Sequence, residues 1–301
     1  MKIRLLLQIV AALTLAHSCI AGPIFPSRFL TVAPKLRPKS DNSGMKFLTQ
    51  HGLWGNLQRG FKTGGDRYAW SIAFGGILEF FSWPGASLGM QGDIEVLADS
   101  RNDIGFNPQG VNWEEGFLYN FSLDKFQIST GYLHRCMHNV DNLVTTNPEA
   151  RDMQRTLIFG SLTAQALLSD VRLKGIGTVT AWLGADYYVV KEDYRYPEQT
   201  VNLQPDVGQM QFSVDGGFSA RIIGRGIASL YTRLGGNIAF YSDTMTTDYR
   251  AEFGLALKGE EMTMNIFIGG EGLSDDGGSV IPRSSDFFFV GVRFMGNNIS
   301  Q

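Results

Sequence analysis

Between Met210 and Phe294 apolar and polar residues alternate in stretch after stretch, and no other feature of the chain restricts its fold so much. In the first stretch Met210, Phe212, Val214, Gly216, Phe218, Ala220 and Ile222 share one parity, and Gln209, Gln211, Ser213, Asp215, Gly217, Ser219 and Arg221 share the other. A period of two means a β-strand whose two faces meet different surroundings. A soluble sandwich would turn its polar face to bulk water. Here the polar faces are rich in glycine and the pattern repeats over about ten residues at a time, which is the repeat of a transmembrane β-barrel.

The first residues read as an export signal. Lys2 and Arg4 precede an apolar run from Leu5 to Leu15, followed by the small residues Ala16, Ser18 and Ala21. The run is too short to cross a bilayer as a helix, so residues 1–21 are expected to be a cleaved signal peptide. Lipidation of Cys19 is the minor alternative. Elsewhere the chain offers no stretch of about 20 apolar residues of the kind a membrane helix needs. Its mean hydropathy of −0.06 fits strands that are apolar at every second position. The formal net charge of −3 favours neither nucleic acid nor a strongly charged partner. Loss of Cys19 would leave Cys136 as the one thiol, with no intrachain disulfide.

Residues 22–44 hold Pro23, Pro26, Pro34 and Pro38 among Arg28, Lys35, Arg37 and Lys39, a composition unsuited to a central strand. This segment is expected to be periplasmic, either tucked into the barrel as a plug or solvated. Strands are expected from Tyr68 to Phe81 and from Leu88 to Ala98, joined by the turn Trp83-Pro84-Gly85-Ala86. Others follow over Gly116 to Leu123, Phe126 to Arg135, Thr156 to Leu168, Gly175 to Val190, Gln209 to Ile222, Ile227 to Tyr241, Asp248 to Lys258, Met262 to Gly272 and Asp286 to Phe294. The connections alternate short and long, and the longer set includes Ser242 to Thr247. Short periplasmic turns and long external loops produce that alternation. These strands number eleven, and an even number closes a barrel; Met45 to Trp54, whose alternation is poor, supplies the twelfth. The expected fold is therefore all-β, a closed antiparallel transmembrane β-barrel of twelve strands over residues 45–295, with ten or fourteen as alternatives and residues 296–301 as a tail.

The last strand, Phe287 to Phe294, reads FFFVGVRF and resembles the β-signal that the barrel-assembly machinery reads in outer-membrane barrels. It differs in being followed by Met295 to Gln301. Together with the export signal and the alternation, the chain is similar to bacterial outer-membrane barrels over nearly all its mature length. The resemblance implies the outer membrane of a Gram-negative cell as location, with outer-membrane lipid and, during biogenesis, the assembly machinery as partners.

Two sets of residues carry chemistry. By parity Glu79, Asp93, Glu95, Asp215, Glu252 and Glu271, with Arg221, Arg233, Arg250, Lys258 and Arg293, face the lumen. They would line a narrow, porin-like passage or binding barrel for small solutes; the plainer reading is a wall of paired charges that conducts nothing. The second set is His134, Cys136 and His138 with Asp141, near the external end of the strand that starts at Phe126. If that strand keeps its period, His134, Cys136 and His138 face lipid at the outer rim. A base beside a nucleophile is the minimum for acyl transfer. The arrangement resembles outer-membrane lipid deacylases and phospholipases, which carry histidine and serine on the outer wall, with cysteine here in place of serine. The same four residues are of types that bind zinc, although ligands at alternate strand positions lie about 6 to 7 Å apart. A polar strand end that meets headgroups and water is the simplest reading, and a structural or surface-interaction barrel remains a third role. No cofactor and no nucleic-acid contact is expected, for the chain has neither a phosphate-cradling glycine loop nor a basic patch.

Overall fold

The computed structural model describes residues 35–36, 44–61, 70–99, 107–123, 126–139, 154–174, 177–196, 207–274 and 284–300. Its strands are β1 (Lys35–Leu36), β2 (Lys46–Phe61), β3 (Trp70–Trp83), β4 (Ala86–Asp99), β5 (Asn107–Leu123), β6 (Phe126–Asn139), β7 (Gln154–Leu173), β8 (Gly177–Tyr196), β9 (Met210–Arg225), β10 (Ala228–Tyr241), β11 (Met245–Lys258), β12 (Met262–Leu273), β13 (Ser285–Gly296) and β14 (Ile299–Ser300). Strands β2 to β13 form a closed barrel in which each pairs with its sequence neighbour and β13 pairs back onto β2. Closure satisfies the backbone of every wall strand without leaving an edge in lipid. The twelve expected strands are all present.

The least regular of them is β2, and its geometry explains the poor alternation. Its pairing with β3 slips between Phe47 and Gln50, and Leu48 there has φ of 50°, a left-handed conformation rare for a branched residue. Past the bulge, Gln50, Trp54 and Gln58 are buried inside while His51, Leu53 and Leu57 are exposed outside. An inward tryptophan and an outward histidine blur the pattern. The β3–β4 turn is regular: Pro84 leads and Gly85 follows at φ 77°, a conformation open to glycine.

The external connections are less uniform than expected. The sequence pattern places Ser242 to Thr247 in a longer loop, yet β11 already begins at Met245 and Tyr241 N donates to Thr244 O at 2.8 Å. Strands β7 and β8 run 20 residues each, and their mutual pairing continues past the top of β6, up to Gln154 opposite Tyr196.

The outer surface carries a belt of exposed apolar side chains, among them Phe74, Phe117, Leu162, Leu183, Phe253 and Ile268. Near the lower turns Trp83, Tyr119 and Phe121 form an aromatic group, with ring centroids 5.7 Å apart for the first pair and 4.4 Å for the second. This is the apolar band and girdle of a membrane-spanning barrel. The inner face is not a water-filled tube. Leu97, on β4, is fully buried in a cluster with Tyr231, Phe267, Phe287 and Phe289 from β10, β12 and β13, so side chains from separated parts of the wall meet inside. A second cluster joins Met137, Leu157, Phe159, Tyr188, Met210 and Tyr241. Met210 was expected on the lipid face with Phe212. It lies inside because the β9–β10 register slips at Phe240/Tyr241, so that Tyr241 pairs with Met210 while Phe240 pairs with Phe212.

The chain's last residues close the lower end. Ile299 is buried with Trp54 and Met295, and β14 pairs with β1. Asn297 donates to the carbonyls of Gly259 and Glu260 at 2.9 and 2.8 Å, and Asn298 donates to the carbonyl of His51. The tail is thereby fastened to the β11–β12 turn on one side and to β2 on the other.

Candidate functional sites inside and outside the wall

All eleven residues expected in the lumen have inward parity. Glu79, Asp93, Glu95, Arg233, Arg250, Glu252, Glu271 and Arg293 are buried, Asp215 and Arg221 are half-buried, and Lys258 is exposed at the turn end of β11. The Asp215 carboxylate occupies the space where a Cβ on Gly184 would stand, which explains a glycine directly opposite it.

The charges are sorted by side. On one wall Asp93 of β4 stands opposite Glu114 of β5, and Glu114 stands opposite Arg135 of β6. Arg135 bonds Glu114 at 2.5 Å and Asp186 at 3.2 Å. Glu95 accepts from Ser71 and, at 3.0 Å, from Asn112. Asp93 makes no ion pair with any described residue, and its Oδ1 has no hydrogen-bond partner. On the other wall Glu252 receives Arg250 at 2.7 Å and both Nη atoms of Arg293 at 2.9 and 2.7 Å, while Arg250 also bonds Glu271 at 2.6 Å and Gln58 at 2.9 Å. Three arginines of this wall lie over inward aromatic rings: Arg233 over Trp182 at 5.2 Å, Arg250 over Phe289 at 4.2 Å and Arg293 over Phe267 at 4.8 Å. Arg233 makes no ion pair among the described residues. One wall thus carries surplus carboxylate, whereas on the other Arg233, Arg250 and Arg293 are matched in number by Asp248, Glu252 and Glu271, and packed side chains fill the space at this level.

Outside, β6 keeps its period to Asn139, so His134, Cys136 and His138 do face lipid. Asp141 lies outside the described residues. Cys136 is a free, half-buried thiol. Across on β5, Glu115 stands directly opposite His134 and Trp113 directly opposite Cys136; Trp113 Nε1 donates to Glu115 Oε2 at 3.0 Å. On the other flank Thr156 stands opposite His138, its Oγ1 3.2 Å from Nδ1, and Gly160 stands opposite His134. The Tyr132 hydroxyl lies over Gly160, where any Cβ would collide with it. Glu115, Thr156 and Tyr132 are partners that the reading of the sequence did not attach to this cluster. The β5 strand was expected to start at Gly116, one residue short of Glu115, and Thr156 became legible only once β6 and β7 were in register. Among the described residues no three His, Cys, Asp or Glu side chains gather as metal ligands, and Asp141, the fourth residue of the zinc reading, lies outside them. An unbroken strand holds alternate side chains apart, and His138 is turned toward Thr156.

No family model matches the chain, and no curated protein matches it in sequence. Among solved structures it is similar to outer membrane phospholipase A from Escherichia coli (14% identity, 82% of this chain and 90% of that chain, TM-score 0.44). It is also similar to the translocator domain of autotransporter NalP from Neisseria meningitidis (8%, 82% and 88%, 0.40) and to an outer membrane channel from Pseudomonas putida F1 (11%, 86% and 98%, 0.40). At these identities and scores the likeness concerns architecture only. The chain itself is a closed twelve-stranded antiparallel β-barrel with an apolar outer surface.

Proposed function

We propose that this barrel acts on lipid at its outer wall, as a hydrolase of acyl esters in the outer leaflet, and that its filled lumen serves to hold the wall rigid. The observation that supports this is the row of ionisable and nucleophilic groups on the lipid-facing side: Glu115 directly opposite His134, with Cys136 next along the same face. Ionisable groups on a membrane face are costly, and a carboxylate, an imidazole and a thiol together are the elements of acyl transfer. His134, once its ring has swung along the strand to within reach of the thiol, takes the thiol proton as Cys136 Sγ attacks the ester carbonyl carbon. The carbon–oxygen bond then breaks, the proton passes to the departing alcohol, and a thioester remains. A water deprotonated by the same imidazole hydrolyses that thioester. Glu115 orients the imidazole after turning from Trp113 toward the residue it already faces. Below the site the outward Ile128 and Tyr132 offer an apolar track for an acyl chain.

The test is release of fatty acid from phospholipid vesicles containing the refolded full chain, followed by mass spectrometry. Cys136→Ala and His134→Ala are expected to abolish release, and Glu115→Gln to lower it by about 10²-fold. A folded wild-type barrel that releases nothing, or a Cys136→Ala variant that matches wild type, overturns the reading.

Passage of small solutes is the second reading. It is favoured by Asp93 and Arg233, unpaired among the described residues and carried on strands six places apart around the twelve-strand ring. It requires the packing around Leu97 to open.

A further inference from the structure

A cavity of about 20 Å³ lies inside the wall between β3 and β6, lined by Glu79, Gln91, Asn120 and Gln127 together with Ile77 and Leu118. That volume accommodates a single small species. Gly89 and Met90 complete the lining, which is more apolar than polar, and its polar groups are the Glu79 carboxylate and the amides of Gln91, Asn120 and Gln127. Gln91 is 2% exposed and donates its Nε2 to Glu114 Oε1 at 2.8 Å, which fixes its amide with the carbonyl end turned away from Glu114; that Oε1 has no partner. Gln127, 6% exposed, likewise has an unpartnered Oε1. The Glu79 carboxylate accepts from Thr49 Oγ1 and, at 3.4 Å, from Gln50 Nε2, yet makes no ion pair with any described residue.

A buried carboxylate without a counter-charge is expensive. A water would bring two protons to three acceptor groups and no charge. The surroundings deepen the deficit: Asp93, Glu95 and Glu114 lie on the same wall, and Arg135 is committed to Glu114 and Asp186. We infer that this cavity binds a hard monovalent cation of sodium size, held by the Glu79 carboxylate and the side-chain oxygens of Gln91 and Gln127. Oxygen donors on a formal charge of minus one suit such an ion. The inference is independent of the outer-wall chemistry, since the site lies on the opposite face of the wall.

The experiment is thermal unfolding of the refolded full chain in detergent, with sodium chloride against tetramethylammonium chloride at equal ionic strength. The midpoint is expected to rise with the logarithm of sodium concentration, as binding to the folded state alone requires, and to stay flat in the larger cation. Glu79→Gln should remove the sodium-specific rise, and Gln127→Met should weaken it, which covers the case in which Glu79→Gln does not fold. Crystals soaked in thallium(I) should show an anomalous peak among these oxygens. Equal midpoints in both salts, or no such peak, overturn the assignment.

Discussion

Glu252 and Arg293 form a two-point ion pair inside the barrel, with Nη1 to Oε2 at 2.9 Å and Nη2 to Oε1 at 2.7 Å. Both residues are buried, and the same carboxylate also holds Arg250. Removing one partner strands the others in a place water does not reach. Glu252→Ala is expected to cost about 3–5 kcal/mol, read as a lowered urea midpoint for the refolded barrel. Exchanging a surface ion pair would leave the midpoint within error.

Leu97 is fully buried among aromatic residues contributed by strands three or more places away around the ring. Leu97→Ala should cost about 2–5 kcal/mol, the usual effect of emptying a packed site. In planar bilayers the wild-type protein is expected to be silent, and the Leu97→Ala/Phe289→Ala double variant to show discrete openings. Stable openings in the wild type would mean that the packed lumen rearranges in the membrane.

Phe218 faces lipid near the middle of β9. Phe218→Arg is expected to hamper insertion, with a cost of about 2–4 kcal/mol for a basic group at mid-bilayer depth. Gln211→Arg should be tolerated. Gln211 is exposed in the irregular external end of β9, beside the slip that turns Met210 inward, so it tolerates charge by position and not by facing the lumen. Heat-modifiability on gels after refolding measures both.

Asn297 bridges three points of the lower rim: the carbonyls of Gly259 and Glu260, and Thr263, whose hydroxyl donates to Asn297 Oδ1 at 2.8 Å. Asn297→Ala should therefore lower stability by about 1–3 kcal/mol, a few ordinary hydrogen bonds at a partly exposed site. Protease susceptibility of the tail is expected to rise in parallel. An unchanged midpoint with an unchanged digestion pattern would mean that Ile299, Asn298 and the β14–β1 pairing hold the tail without the Asn297 side chain.

The barrel was legible in the sequence because its signal is largely binary: from β9 to β11 most residues declare their face by polarity, although the inward Phe267, Phe287 and Phe289 of β12 and β13 do not. What escaped was whatever a period of two does not encode. The β2 bulge at Leu48 and the β9 slip at Met210 each shift a side chain to the other face without leaving a mark in composition. Glu115 was missed because a strand end was placed one residue late, and parity has no meaning outside a strand. The inward charges keep the parity read from the sequence, but the excess of carboxylates on one side depends on which strands neighbour which, and the stacking of Arg233, Arg250 and Arg293 on aromatic rings depends on register across strands. The His134 cluster sat on the expected face, while its partners Glu115, Thr156 and Tyr132 come from, or lie across, neighbouring strands.

A wall one residue thick also makes the protein its own optical ruler. Trp54 and Trp182 point inward and are buried, whereas Trp113 points outward and is exposed. Brominated lipid should quench the outward Trp70, Trp83 and Trp113 and spare Trp54 and Trp182, so a blue-shifted component that survives should belong to the rings under Arg233 and beside the tail. Fluorescence could then follow, without any added label, whether the lumen packs before or after the barrel enters the bilayer.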